Sequence, residues 1–238
     1  MGVLGGMLGN DLRRAEVWAK NGRKDSLKGV NLAHKDLRGF DLQGAVLSQA
    51  NLAGSVLEAV NLAGAKLDGA KMAQSNLRRA GAREADFSAA DMDGADMTHA
   101  NLQRARLVNA KLTNAKMGEA ILREANLTGA DLRGVLFLLS DLRGADLTGA
   151  HLDGARFQDA QLQGANFSGT GITAARLTKH EPVMETCPKC RGSGWWRDER
   201  AGVDHRCPMC DTLGKLKTGQ TADVKLAVWD DSTIWDAH

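Results

Sequence analysis

Tyrosine is absent from the 238 residues, and aromatic residues make up only 4% of them. The large rings that dominate many globular cores are therefore scarce, and the composition does not imply a globular core. No basic stretch leads into a long apolar run near the N-terminus. Neither a signal peptide nor a transmembrane segment is expected, no membrane partner follows, and a cytoplasmic location is the expectation. Charge of one sign is also lacking: 31 Lys and Arg face 29 Asp and Glu, a formal net charge of +2. That balance gives no electrostatic drive toward nucleic acid. Cysteine is missing from the first 186 positions, and the four present form two C-x-x-C pairs between 187 and 210. Without an export signal, such pairs favour metal over disulfides. No Gly-rich phosphate loop follows a strand, and His34, His99, His151, His180, His205 and His238 are scattered. His99 and His151 read as solvated surface residues. An enzyme is not expected.

A five-residue register is present instead. In "GADLTGAHLDGARF", from Gly144 to Phe157, Ala recurs at 145, 150 and 155, and a large apolar residue at 147, 152 and 157. An α-helix turns about 500° in five residues, which smears such a pair around the cylinder. A flat strand alternates with period two, so an odd period would send successive leucines to opposite faces. The period fits a chain that turns a corner of about 90° once per repeat, closing a square coil every twenty residues. Coils can then stack at about 4.8 Å. The large residue runs from Leu27 to Leu177 with one lapse, at Ala82. The small partner two positions earlier gives way at Lys35, Phe40, Val60, Val135 and Thr170.

The motif A-(D/N)-L-x-G, plainest in "ANLTGADLRG" (125–134) and "ADLTGAHLDG" (145–154), resembles the pentapeptide-repeat family over residues 25–178. That resemblance implies an all-β fold, a right-handed quadrilateral β-helix or β-solenoid, with Leu/Phe and Ala inside. About thirty repeats at four per coil make seven to eight coils, a rod of about 35–40 Å.

The ends of a solenoid expose strand edges that must be covered. "NDLRRAEVWAKNG" (10–22) reads as a capping helix within residues 1–24. Asn10 or Asp11 would be its N-cap, Leu12, Ala15, Trp18 and Ala19 its apolar stripe, and Gly22 its stop. "MGVLGGML" before it reads as a flexible arm, or as an arm ordered by a partner. At the other end, residues 179–216 form a candidate metal module. Cys187, Cys190, Cys207 and Cys210 have the spacing C-x2-C-x16-C-x2-C, and four thiolates suit one structural Zn²⁺. His205 reads as a neighbour of the metal, not a ligand. "CPKCRGSG" resembles half of a DnaJ-type cysteine-rich domain, which implies a zinc hairpin and does not extend to co-chaperone activity. Trp195 and Trp196 follow the first pair, as mini-core packing or as a stacking platform for a base or peptide. Residues 217–238 form a tail carrying Trp229 and Trp235, either a returning strand or a docking peptide.

The skin of the rod carries the functional expectation. Residues 25–177 hold seventeen acidic and seventeen basic side chains. The best-known activity that the family resemblance implies is DNA mimicry toward type II topoisomerases, which needs a strongly negative rod. Only "DMDGADM" (91–97) keeps that alternative open. Columns twenty residues apart should alternate in charge, as in Lys71, Asp91, Lys111 and Asp131. "VLFLLSD" (135–141) departs from the polar skin. With Phe137 pointing in, Leu136, Leu138 and Leu139 point out, which marks either a contact surface or a patch covered by the chain's own ends. The sequence thus reads as a non-enzymatic interaction, scaffold or assembly protein, with a protein partner or self-association. Gyrase binding is the alternative. Nucleic-acid or unfolded-peptide binding through the zinc and tryptophan end is the weaker one.

Overall fold

The structure, a computed structural model, describes residues 4–20, 26–170, 195–198 and 203–206. The chain divides into two compact units, one of Met1–Leu177 with Ala222–His238 and one of Thr178–Thr221.

From Ser26 to Thr170 every repeat takes the same path. The large residue is extended, and a β-turn follows it. The N–H three residues on closes the turn, as where Ala115 donates to the Leu112 carbonyl at 2.9 Å. The third residue of each turn has positive φ, between 55° and 80°. Turns of that shape favour Gly at this place, which accounts for the Gly of the motif, although thirteen corners carry neither Gly nor Asn. Four corners return the chain over itself. Position n then pairs in parallel with position n+20, from Asn31 with Asn51 to Asp146 with Asn166. Each face contributes a single bridged residue, so this β architecture contains no long strand. The ladder is dense: Leu112 N–H donates to Asp131 O at 2.8 Å, Asn114 N–H to Arg133 O at 2.9 Å, and Lys111 N–H to Ala90 O at 2.9 Å.

One amide per repeat falls outside that ladder, and the Asp or Asn of the motif serves it. The Thr128 N–H donates to Asn126 Oδ1 at 3.0 Å, and Ser168 N–H to Asn166 Oδ1 at 3.0 Å. The acidic or amide residue before each leucine is thus a local cap for the turn, as short polar side chains are elsewhere.

The bore is dry. The leucines, methionines and phenylalanines of the register and their alanine partners are fully buried. Ala82 keeps its inward place without a large side chain. Where the sequence breaks the small-residue rule, polar groups find backbone partners. Thus Ser140 Oγ donates to Phe137 O at 2.7 Å, and Thr170 Oγ1 to Phe167 O at 2.6 Å. Phe137 stacks on Phe157 with centroids 4.8 Å apart, and Phe157 meets Phe167 edge-on at 5.8 Å. Lys35 and Phe40 are half-buried, so the small-residue rule is loosest in the first coil.

Helix α1 spans Leu4–Lys20. This corrects the expected start at Asn10: the helix includes Leu4–Leu8, which the sequence assigned to a flexible arm. Asp11 is therefore a mid-helix residue and not an N-cap. Its carboxylate has another task. Along the rod, the equivalent amide of Asn51 donates to Val30 O in the preceding coil at 2.8 Å. Asn31 has no preceding coil, and its N–H donates to Asp11 Oδ2 at 2.8 Å instead. Arg14 reaches Asp11 at 3.1 Å and donates to Ser26 O at 3.2 Å. Ala15 and Trp18 are buried in one cluster with the bore leucines, and Leu12 and Ala19 pack against it.

In the second unit, strands β1 (Trp195–Asp198) and β2 (Val203–Arg206) pair antiparallel, with Trp195 opposite Arg206 and Trp196 opposite His205.

Candidate interaction surface

The segment 135–141 sits on a face whose backbone is bonded in both directions. Leu136 N–H donates to Ala115 O, Met117 N–H to Leu136 O, Glu119 N–H to Leu138 O, and Leu139 N–H to Gln158 O, at 2.7 to 3.1 Å. Val135 and Phe137 point into the bore and are fully buried. Alternation then sends Leu136, Leu138 and Leu139 outward, where they are 38%, 43% and 49% exposed. Leu139 also stands at the positive-φ corner, with φ 56°.

A fourth residue joins them that the sequence reading missed. Ile121 is 38% exposed and lies in the preceding coil, bridged to Asp141 across the corner from Leu139. Its signal was an aliphatic residue at a place the motif gives to Asp or Asn. Only the corner and the twenty-residue stack put it beside the leucines. Among the described residues, the remaining exposed large aliphatic is Val17 on α1.

Charges frame the leucines by column. Lys116 and Arg156 bridge Leu136 from the coils on either side, and both are exposed. In the neighbouring column Glu119 and Asp159 flank Leu139, with His99 Nδ1 3.5 Å from Glu119 Oε2.

Elsewhere several carboxylates are met within the chain. Arg133 beside Asp131 holds that carboxyl below its ordinary value through a side-chain hydrogen bond, against the opposing effect of burial. Asp36 is lowered to about 2 by hydrogen bonds from Arg38. At Asp96 burial raises the pKa, but hydrogen bonds from Thr98 and Arg78 outweigh it and the net shift is downward. Asp141 accepts from Arg123 and from Arg143. The acidic run that kept DNA mimicry open is matched residue by residue. Asp91 faces Lys111 at 3.5 Å, Thr113 donates to Asp93, and Arg78 lies 3.4 Å from Asp96, while Asp86, ahead of the run, faces Arg106 at 3.6 Å. Lys71, Asp91, Lys111 and Asp131 do stack as one alternating column.

Of the other candidates, Trp195 and Trp196 lie on β1, opposite Arg206 and His205. Cys187, Cys190, Cys207, Cys210, Trp229 and Trp235 lie outside the described residues.

A family model described as pentapeptide repeats matches in eight copies, over residues 26–62, 41–79, 61–98, 83–118, 100–137 and 140–178. No curated protein matches. Among solved structures, HetL is similar, a pentapeptide repeat protein involved in heterocyst differentiation regulation from the cyanobacterium Nostoc sp. It is 30% identical over 68% of this chain and 78% of its own, with a TM-score of 0.40. A pentapeptide repeat protein from the Arabidopsis thaliana thylakoid lumen is 33% identical over 41% of this chain and 68% of its own, with a TM-score of 0.39. QnrB1, a plasmid-mediated fluoroquinolone resistance protein, is 19% identical over 60% of this chain and 76% of its own, with a TM-score of 0.34.

Proposed function

Because this chain belongs to the pentapeptide-repeat family, we propose that it works without catalysis, as a rigid right-handed quadrilateral rod that binds a protein partner. The observation that carries this reading is the gathering of Leu136, Leu138, Leu139 and Ile121 on adjoining faces of neighbouring coils. Exposed apolar side chains on a fully bonded backbone present a pre-ordered contact surface, so little entropy is lost when a partner docks. A photo-crosslinking amino acid at position 138 should give a discrete protein adduct in cells, and the same group at Gln43 should not. Equal yields from both positions would contradict the reading.

Topoisomerase binding by DNA mimicry is disfavoured by the balanced charge of the rod and by the partners that meet Asp86, Asp91, Asp93 and Asp96. Purified protein is expected to leave gyrase supercoiling unchanged at micromolar concentration. Inhibition at that level would restore this alternative.

We further propose that Cys187, Cys190, Cys207 and Cys210 hold one structural Zn²⁺. Support comes from the β1–β2 register. The register sets Trp195 opposite Arg206, and in the sequence the two C-x-x-C pairs flank this hairpin, at 187–190 before β1 and at 207–210 after β2. Four thiolates fit a closed tetrahedral site that leaves no position for a reacting water. Metal analysis should find one zinc per chain, lost on Cys207→Ser. Binding of nucleic acid or unfolded peptide through Trp195 and Trp196 is the weaker reading, and it requires salt-sensitive binding that Trp196→Ala abolishes.

A further inference from the structure

We infer that the leucine face receives a second copy of this chain, laid parallel and side by side about a twofold axis running along the rod. The inference rests on the interaction reading above and names its partner.

The leucine face is built of columns. Within coils four to seven, the column before the bore residue reads Asp96, Lys116, Leu136, Arg156, and the corner column reads His99, Glu119, Leu139, Asp159. A twofold axis parallel to the rod and through the leucine cluster lays the first column of one copy on the corner column of the other, level by level. Lys116 then meets Glu119, Leu136 meets Leu139, Arg156 meets Asp159, and Asp96 meets His99. Every charged level is opposite in sign or carries an imidazole against a carboxylate. Between the two columns run Thr98, Gly118, Leu138 and Gln158. They face their own copies, bring no charge onto itself, and put Leu138 against Leu138. The antiparallel arrangement, about an axis across the rod, sets Lys116 against Arg156 and Glu119 against Asp159, which is repulsive at both levels. Complementary potentials of this kind fix partner and register.

Two further observations agree. Lys116 and Arg156 carry no ion pair among the described residues, as is also true of Lys66, Lys71, Arg79 and Arg83, so both are available to a partner's carboxylates, unlike Arg104, Arg106, Arg123, Arg133 and Arg143. Leu139 combines positive φ with 49% exposure. Every corner imposes that conformation, and a branched side chain is disfavoured in it, so an exposed leucine here is an unusual choice that contact with a partner would account for.

The close contact is short. In coils two and three the middle column carries Glu58 and Arg78, each of which would oppose its own copy. Contact is thereby confined to about four coils, about 19 Å of rod at the usual strand spacing. Such an interface is small beside permanent dimers, so the dissociation constant is expected in about the micromolar range.

Sedimentation equilibrium of the purified full chain from about 5 to 200 μM tests this. The wild type should fit a monomer–dimer equilibrium. Leu138→Asp and Leu139→Gly should each raise the dissociation constant at least tenfold with unchanged circular dichroism. Lys116→Glu and Glu119→Lys should each weaken association, and the double exchange should restore it to within about threefold. A wild type that is monomeric at 200 μM overturns the inference. So does a dimer indifferent to Leu138→Asp, a double exchange that fails to rescue, or a Lys116→Glu variant that associates more tightly, the mark of the antiparallel pair. The adduct at position 138 keeps the two readings apart. An adduct with a foreign protein beside a monomeric pure chain removes this inference and leaves the interaction reading. An adduct of twice the chain mass supports both.

Discussion

At the scale of the residue, each position in the quintet has one physical job, and substitutions should be graded by it. Leu112 is fully buried between coils, and Leu112→Ala is expected to cost about 2–5 kcal/mol by urea denaturation, from lost burial and the cavity left behind. Asn126 accepts the one amide that the ladder leaves over, from Thr128 at 3.0 Å. Asn126→Ala should therefore cost about 1 kcal/mol in the same assay. Leu139→Gly should go the other way. It relieves positive φ at an exposed corner, with an expected gain of about 1 kcal/mol in monomer stability. A loss there would show that the leucine supports the rod itself. The jobs of Leu112 and Leu139 could be read in the sequence, because side-chain size at a fixed period marks the inside and its violation marks the outside. The job of Asn126 could not, since it depends on which amides the stacked coils leave over. Ile121 escaped notice for a related reason: a lone aliphatic among polar neighbours says nothing until a corner places it.

At the scale of the element, the coil and the helix differ in how far local rules reach. The corner, the bore and the twenty-residue stack follow from repeated local choices, each agreeing with the next, and the sequence reading met them intact. The helix did not follow local rules. Asp11 has the form of an N-cap, yet it serves the open edge of the first coil by accepting from Asn31 at 2.8 Å. Propensity arguments see neither that amide nor the bore end that Trp18 and Ala15 cover. Asp11→Ala is expected to cost about 1–2 kcal/mol and to raise amide exchange first in residues 27–45, because it leaves an edge donor unpaired. Equal loss of protection along the whole rod would contradict a local edge role.

The aspartates paired with arginine contribute to the stability lost in acid. Asp36 and Asp131 have lowered folded-state values, about 2 for Asp36. A depressed carboxylate contributes stability that is present above its unfolded value, about 3.9, and is lost as pH falls through the folded value. The melting temperature should therefore stay level from pH 7 to 5 and decline between about pH 4 and 2. Asp131→Asn should remove part of that decline. A melting temperature already falling at pH 6 would contradict this assignment.

At the scale of the whole molecule, the recognition proposed above rests on a pattern of charge and leucine laid over the coils. That pattern was partly legible. Lys116, Leu136 and Arg156 could be stacked from the sequence once the coil length was known, while Glu119 and Asp159 gain meaning only from the corner column beside them. All of it depends on one claim, that the chain climbs one coil of about 4.8 Å for every twenty residues. Spin labels carried on unnatural amino acids test it directly, with one at Val46 and the second at Asn126, Asp146 or Asn166, all in a single column. The distances should be about 19, 24 and 29 Å, rising by one coil at each step. Distances that stay level, or that rise by anything near the length of twenty extended residues, would contradict the square coil and everything built on it.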